Sequence, residues 1–202
     1  GAAYQGGQTS VGGDFYDMFP LADDDWFIVL GDVCGKGRMA AARTAVARHS
    51  VRTGALLRRQ PDAALRVLNQ ALLLDESPDQ RSRFVSAIAL RTRLGLGSGA
   101  IEVDAATGGH HPPLIRRADG TVEALEVNGF EDPKVGLAST HLSPGDQIVL
   151  FTDGVIEARR SDGEVYGTDR LRQLIHDEGS ASAAGLAGVI RQAASEFAGR
   201  GS

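Results

Sequence analysis

The sequence predicts an α+β fold in which helices cover antiparallel sheets. Three observations carry that expectation. Short apolar runs are separated by hairpin signals, above all Asp119-Gly120 between residues 114–117 and 122–127. Helical periodicity arrives in pairs, once directly after Gly37 and again from Asp169 onward. Strands and helices do not alternate along the chain, which argues against a parallel, doubly wound sheet.

At 202 residues and 42% apolar, the chain can bury a full core as one domain spanning 1–202. Its formal charge of −5, with acidic and basic residues interspersed, excludes a basic nucleic-acid footprint. The lone Cys34 excludes an intramolecular disulfide framework and fits a reducing compartment. No apolar run reaches the length of a membrane span, and the start shows no signal-peptide pattern. The expectation is a soluble, cytoplasmic domain without membrane contact. The start, Gly1-Ala-Ala-Tyr-Gln-Gly-Gly, reads as cut from a longer protein, and the end, Ala198-Gly-Arg-Gly-Ser202, is uninformative.

Taken in order, residues 15–21 read as a strand behind Gly12-Gly-Asp14, and Asp23-Asp-Asp25 as a solvated turn. Trp26 to Leu30 is a continuous apolar run, the mark of a strand buried on both faces. It stops at Gly31-Asp32, with Gly35 and Gly37 close behind. Met39, Ala42, Val46, Ala47 and Val51 then recur at helical spacing, and Gly54 marks where that helix ends or loosens. Pro61 opens a second helix from a first-turn position, with Leu65, Leu68 and Leu72 as its stripe. Strands over 84–94 and 100–106 flank a glycine-rich turn, and 107–113 reads as a loop. After the Asp119-Gly120 hairpin come a loop over 128–136 and the turn Ser143-Pro-Gly-Asp146. A buried strand over 147–152 ends at Asp153-Gly154. Helices over 169–176 and about 182–197 close the chain, the second with Leu186, Ile190, Ala194 and Phe197 on one face.

Asp14, Asp32 and Asp153 share one pattern: each stands at a strand edge and touches glycine. Hard cations such as Mn²⁺ or Mg²⁺ take oxygen ligands and keep several waters. Three carboxylates meeting at one end of a sheet would repel one another unless a cation neutralised them. Two such ions hold a hydroxide and clamp a phosphate for in-line displacement, so phosphoester hydrolysis needs no protein nucleophile. Asp17, three residues from Asp14 on a strand, points to the other face and reads as structural. Rival phosphate chemistries fail on residues. A cysteine phosphatase requires an Arg six positions after its Cys, where Ala40 stands. Gly31 and Gly35 enclose too few residues for a P-loop, and Gly37 rather than Ser or Thr follows Lys36. Asp23-Asp-Asp25 leads into Trp26, not into the Thr or Val of an aspartyl-phosphate loop.

In order and spacing, VGGDFYD, GDVCGKG, GGHHPPL, SPGD and FTDGVIEAR resemble the PPM-type metal-dependent protein phosphatases, closest to their bacterial SpoIIE-like (RsbU-like) branch. The resemblance runs from about Val11 to about Leu171. It implies a sandwich of two antiparallel sheets flanked by helix pairs, and removal of phosphate from Ser or Thr with two Mn²⁺ or Mg²⁺ ions. By position, Asp32 matches the aspartate that bridges both metals and Val33 the residue that lends a backbone carbonyl. Asp14 matches the acidic ligand of the second metal and Asp153 that of the first. The implied substrate is a phosphorylated anti-sigma factor antagonist, with a fused sensor domain acting on the helices after the glycine turn. One departure stands out: the family's last strand, which begins Asp-Asp and supplies another ligand, does not occur before Ser202. The expectation is therefore weak metal binding and a sheet edge open to pairing with a second copy, as in a homodimer.

The remaining polar residues read mostly as structural. His110 and His111 order their loop rather than donate a proton, and Glu157 and Arg159 fix the turn after Asp153. Lys36 is solvated or meets the substrate phosphate, and Cys34 is a small buried residue. Two other functional classes stay in view. One is a catalytically impaired, phosphatase-like regulatory domain. The other is a metal phosphodiesterase or nuclease, disfavoured by the lack of basic grooves and of a His-rich ligand set.

Overall fold

The computed structural model describes residues 13–35, 38–74, 84–95, 99–127, 135–178 and 182–199. These form strands β1 (Phe15–Ala22), β2 (Asp25–Val33), β3 (Val85–Leu94), β4 (Ile101–Gly108), β5 (Leu114–Arg116), β6 (Val122–Ala124), β7 (Gly136–Leu142) and β8 (Gln147–Val149). The helices are α1 (Arg38–Arg58), α2 (Pro61–Leu74), α3 (Asp153–Ile156), α4 (Gly167–Asp177) and α5 (Ala183–Gly199). The chain divides into two compact units, one containing 7–112 and 125–144, the other 113–124 and 145–202. Both sheets are antiparallel, one in each unit, as the α+β expectation requires. No helix among the described residues is long and apolar enough to cross a membrane.

The larger unit is a five-stranded sheet of order β1-β2-β3-β4-β7 with α1 and α2 on one face. Alternation on β1 and β2 sends Phe15, Phe19, Phe27, Val29 and Val33 to the helix side. There they meet Ala47, Val51 and Ala55 of α1 and Ala64, Leu65 and Leu68 of α2. The expectation that 26–30 is buried on both faces holds only in part. Phe27 and Val29 are sealed, whereas Trp26 is 41% exposed and Ile28 and Leu30 are half-buried. The cause is position, because β2 lies next to the edge strand β1. Two-sided burial starts one strand further in, where Ile88, Ala89 and Leu90 of β3 are all inaccessible.

Three further expectations are corrected in this unit. Strand β2 does not stop at Gly31-Asp32 but runs through Val33. Helix α1 does not end or loosen at Gly54. A Cβ on Gly54 would stand 2.9 Å from Ala64 Cα, so the glycine lets α2 approach. Asp25 is not part of a solvated turn: it is 7% exposed and forms a bidentate pair with Arg91, at 2.9 and 2.7 Å. Arg91 Nη1 also donates to the Arg59 carbonyl at 2.8 Å, which ties the corner between the helices to the sheet. Strand β7 lay hidden in Gly-Leu-Ala-Ser-Thr-His-Leu, whose small and polar residues carry little alternation. It pairs along β4, and Ser139 Oγ donates to Asp104 at 2.8 Å. Residues 128–134 of the expected loop, and 96–98 of the glycine-rich turn, lie outside the described residues.

The smaller unit packs α4 and α5 around the sheet β6-β5-β8. Leu186, Ile190, Ala194 and Phe197 are the buried stripe of α5, as their spacing predicts. Helix α4 is fastened at its C-terminal turn, where buried Arg116 donates to the Ile175 carbonyl at 3.1 Å and His176 Nδ1 meets the Gly120 carbonyl at 2.8 Å. The expected buried strand over 147–152 is shorter and half-buried, because it lies at an edge and pairs only with three-residue β5. Asp153 therefore opens a short helix instead of ending a strand.

Two consequences can be measured. Asp25→Asn removes the carboxylate that Arg91 faces and is expected to cost about 3 kcal/mol at pH 7. The hydrogen bond and charge of Arg91 hold the Asp25 carboxyl below its ordinary value. The pair's contribution is therefore full above the unfolded-state value near 3.9, and is lost as pH falls through the lower folded-state value. Urea titrations stepped down from about pH 5 should show the gap between wild type and variant narrowing. A gap independent of pH would place the loss elsewhere. Separately, Gly54→Ala should destabilise by about 2 kcal/mol through overpacking. Gly188→Ala, in α5 with nothing within 4 Å of its added Cβ, should stabilise by about 0.5 kcal/mol.

Candidate metal centre

The β1–β2 register decides how Asp14 and Asp32 meet. Phe15 pairs with Gly31 and Tyr16 with Leu30. The Val33 N–H donates to the Gly13 carbonyl at 3.1 Å, so the same register continues beyond the start of β1. Asp14 thus stands opposite Asp32. Hydrogen-bonded and non-hydrogen-bonded pairs alternate along an antiparallel ladder. Gly13–Val33 is of the first kind, which makes Asp14–Asp32 the second, where facing side chains lie closest. Carboxylate oxygens of the two come within 4.8 Å of each other, and both residues are half-buried. Like charges set directly opposite destabilise a sheet. A divalent cation held between them reverses the sign.

The backbone beside the pair supplies a third oxygen. A Cβ built on Gly13 would stand 2.1 Å from the Val33 carbonyl oxygen and 2.6 Å from Asp32 Oδ1. Carbonyl and carboxylate therefore converge on space that any side chain at position 13 would fill. Donors that are all oxygen fit Mg²⁺ or Mn²⁺ rather than a soft metal. Gly31 has another purpose than ligand approach. Its missing Cβ makes room for the Phe15 ring, which would lie 2.5 Å away, and for the Ser86 carbonyl at 2.6 Å.

In the smaller unit, exposed Asp153 is the first residue of α3, after Thr152 at the helix cap. The turn behind it is fixed by Glu157 N–H donating to the Asp153 carbonyl at 2.7 Å and by a bridge between Arg159 and Val165. Asp17 is structural, as read: it is buried and accepts from Arg52 at 2.8 Å, with Arg48 at 3.9 Å. His110 is buried and His111 exposed. Thr107 Oγ donates to the His110 carbonyl at 2.9 Å and accepts from its N–H at 3.2 Å, which orders the loop. Cys34 is half-buried rather than buried. Lys36 and Gly37 lie outside the described residues. One residue escaped the sequence reading. Ser86 pairs with Asp32 across β2–β3, and a lone serine in an apolar strand gives no signal of that.

Comparison with known proteins adds the family. The model of the SpoIIE family (Stage II sporulation protein E) matches residues 22–202. Phosphoserine phosphatase RsbU of Bacillus subtilis is 27% identical over 179 residues, covering 86% of this chain and 51% of that protein. The RsbU and RsbW domains of a Mycobacterium tuberculosis protein superpose with a TM-score of 0.72 at 26% identity, covering 95% of this chain and 52% of that one. The catalytic domain of the serine/threonine phosphatase PstP, solved with two manganese ions, shares the fold at 14% identity and a TM-score of 0.60, covering 95% and 91%. Protein IcfG of Synechocystis is 29% identical over 194 residues, covering 82% of this chain and 30% of that protein, so the chain spans only part of the length of these curated relatives. It belongs to the SpoIIE family, the RsbU-like branch of the PPM-type protein phosphatases.

Proposed function

We propose that this chain is the catalytic domain of a metal-dependent protein serine/threonine phosphatase, with both units forming one domain. The observation that carries the reading is the pair of like charges at a non-hydrogen-bonded position of β1–β2, with the Val33 carbonyl beside it. In this reading Asp14, Asp32 and Val33 are metal ligands, and the resemblance in the sequence assigns the same role to Asp153. Mn²⁺ or Mg²⁺ bound there supplies Lewis-acid polarisation of phosphoryl oxygens and acidifies a water. Asp32, on a strand bonded on both sides, orients that centre with little freedom. Asp14 is held by the Gly13–Val33 hydrogen bond directly before β1. No side-chain nucleophile is required, and half-buried Cys34 takes no part.

The relatives support a substrate class. RsbU is named a phosphoserine phosphatase, which supports phosphoserine as the group hydrolysed; the carrier proposed here, from the resemblance in the sequence, is a phosphorylated anti-sigma factor antagonist. A sensor domain elsewhere in the full-length protein and a cytoplasmic site of action complete the proposal.

Asp14→Asn, Asp32→Asn and Asp153→Asn should each lower Mn²⁺-dependent hydrolysis of a phosphoserine protein by at least about 100-fold with the fold retained. A chelator should stop turnover, whereas alkylating Cys34 should leave most of it. Wild-type turnover in Asp32→Asn, or phosphate trapped on a side chain, would overturn the mechanism. Inertness of the wild type with Mn²⁺ and phosphoprotein would favour the regulatory-domain reading instead.

A further inference from the structure

The ladder that opposes Asp14 to Asp32 continues into β3. Asp32 and Ser86 are paired in the β2–β3 register, and Cys34 N–H donates to the Phe84 carbonyl at 3.1 Å two pairs further on. By alternation, Asp32–Ser86 is a hydrogen-bonded pair whose side chains share a face. Asp14, Asp32 and Ser86 thus form one row across three strands. Facing Cβ atoms in such a pair are about 5 Å apart, within reach of one hydrogen bond or one bridging water.

Ser86 is itself held from behind. Its Oγ lies 3.0 Å from His110 Nδ1. His110 is 8% exposed, and its backbone is pinned on both sides by the Thr107 hydroxyl. Gly109 before it bridges to Ala87 on β3, so the loop cannot shift without breaking contacts with that strand. A serine hydroxyl has one proton to give and two lone pairs to receive with. With Nδ1 protonated, His110 donates to Oγ, and the Oγ proton is left for the neighbouring carboxylate.

We propose that Ser86 and His110 are positioning residues for Asp32: His110 Nδ1–H orients the Ser86 hydroxyl, which donates to the Asp32 carboxylate or to a water held by it. One oxygen of Asp32 is thereby fixed and the other is aimed at the cation. This inference rests on the metal-centre reading above. Partners of this kind set ligand orientation, and losing one costs about 10- to 100-fold in metal affinity.

The test is Mn²⁺ titration of the chain without substrate, by calorimetry and by the Mn²⁺ paramagnetic resonance signal, beside thermal melts. Ser86→Ala and His110→Ala should each weaken Mn²⁺ binding about 10-fold. The double variant should be no weaker than either single, because both act through one hydrogen-bond chain. Ser86→Thr, which keeps the hydroxyl, and His110→Asn, which places an amide N–H near Nδ1, should restore most of the affinity. Should Ser86→Ala not fold, Ser86→Cys is read in its place. A melting loss with unchanged Mn²⁺ affinity, or losses that multiply in the double variant, would overturn the proposal. Asp32→Asn separates the two readings. Unchanged Mn²⁺ binding in that variant removes the metal centre itself, whereas loss there with retention in Ser86→Ala removes only the positioning role.

Discussion

Two negative charges facing each other across a β-ladder are the constraint on which the rest of the described sheet depends. Antiparallel pairing brings Asp14 and Asp32 together at the position where facing side chains are closest and where like charges oppose each other. The surrounding residues make the arrangement stiff instead of relaxed. The Gly13–Val33 hydrogen bond prevents the strand ends from splaying. Beneath the same strands, Phe15, Phe27, Val29 and Val33 are locked against α1 and α2. A floppy hairpin would let the carboxylates drift apart and lose the cation. A rigid one would present them to the proposed cation at a fixed separation, which is how preorganised electrostatic sites avoid reorganisation.

The far end of the same hairpin is fixed by the opposite arrangement, a carboxylate with its counter-charge built in. Asp25 and Arg91 meet in a bidentate pair, and Arg91 extends to the corner between α1 and α2. The two ends of β2 thus carry buried or half-buried acids with different partners, guanidinium at one and oxygen donors at the other. Residue type alone does not separate them. What separates them is the neighbour that the register places opposite.

That difference explains what the sequence could and could not reveal. Local signals were legible: the Asp119-Gly120 hairpin, the helix opening at Pro61, and the α5 stripe all depend on residues near one another in the chain. Asp14 and Asp32 were singled out by their glycine neighbours, and Asp17 was set apart by strand parity. The misses are matters of partner. Asp25 looked solvated because Arg91 is distant in sequence, and Gly54 looked like a helix stop because the backbone it admits belongs to another helix. Strand β7 escaped because its pattern is set by an edge position, and Ser86 because only pairing with Asp32 distinguishes it.

The contact between Phe15 and Gly31 has a consequence for the register of the hairpin. A hairpin that slipped by two residues would keep every side chain on its proper face, so hydrophobic patterning alone would tolerate the error. In either direction, the slip carries the Phe15 ring from Gly31 to Val29 or Val33, where a branched side chain occupies the space the ring needs. Sterics alone therefore disfavour the wrong alignments, with no ion needed to select the right one. Gly31 acts as a proofreading position: it carries no ligand, yet it selects the one alignment in which Asp14 finds Asp32.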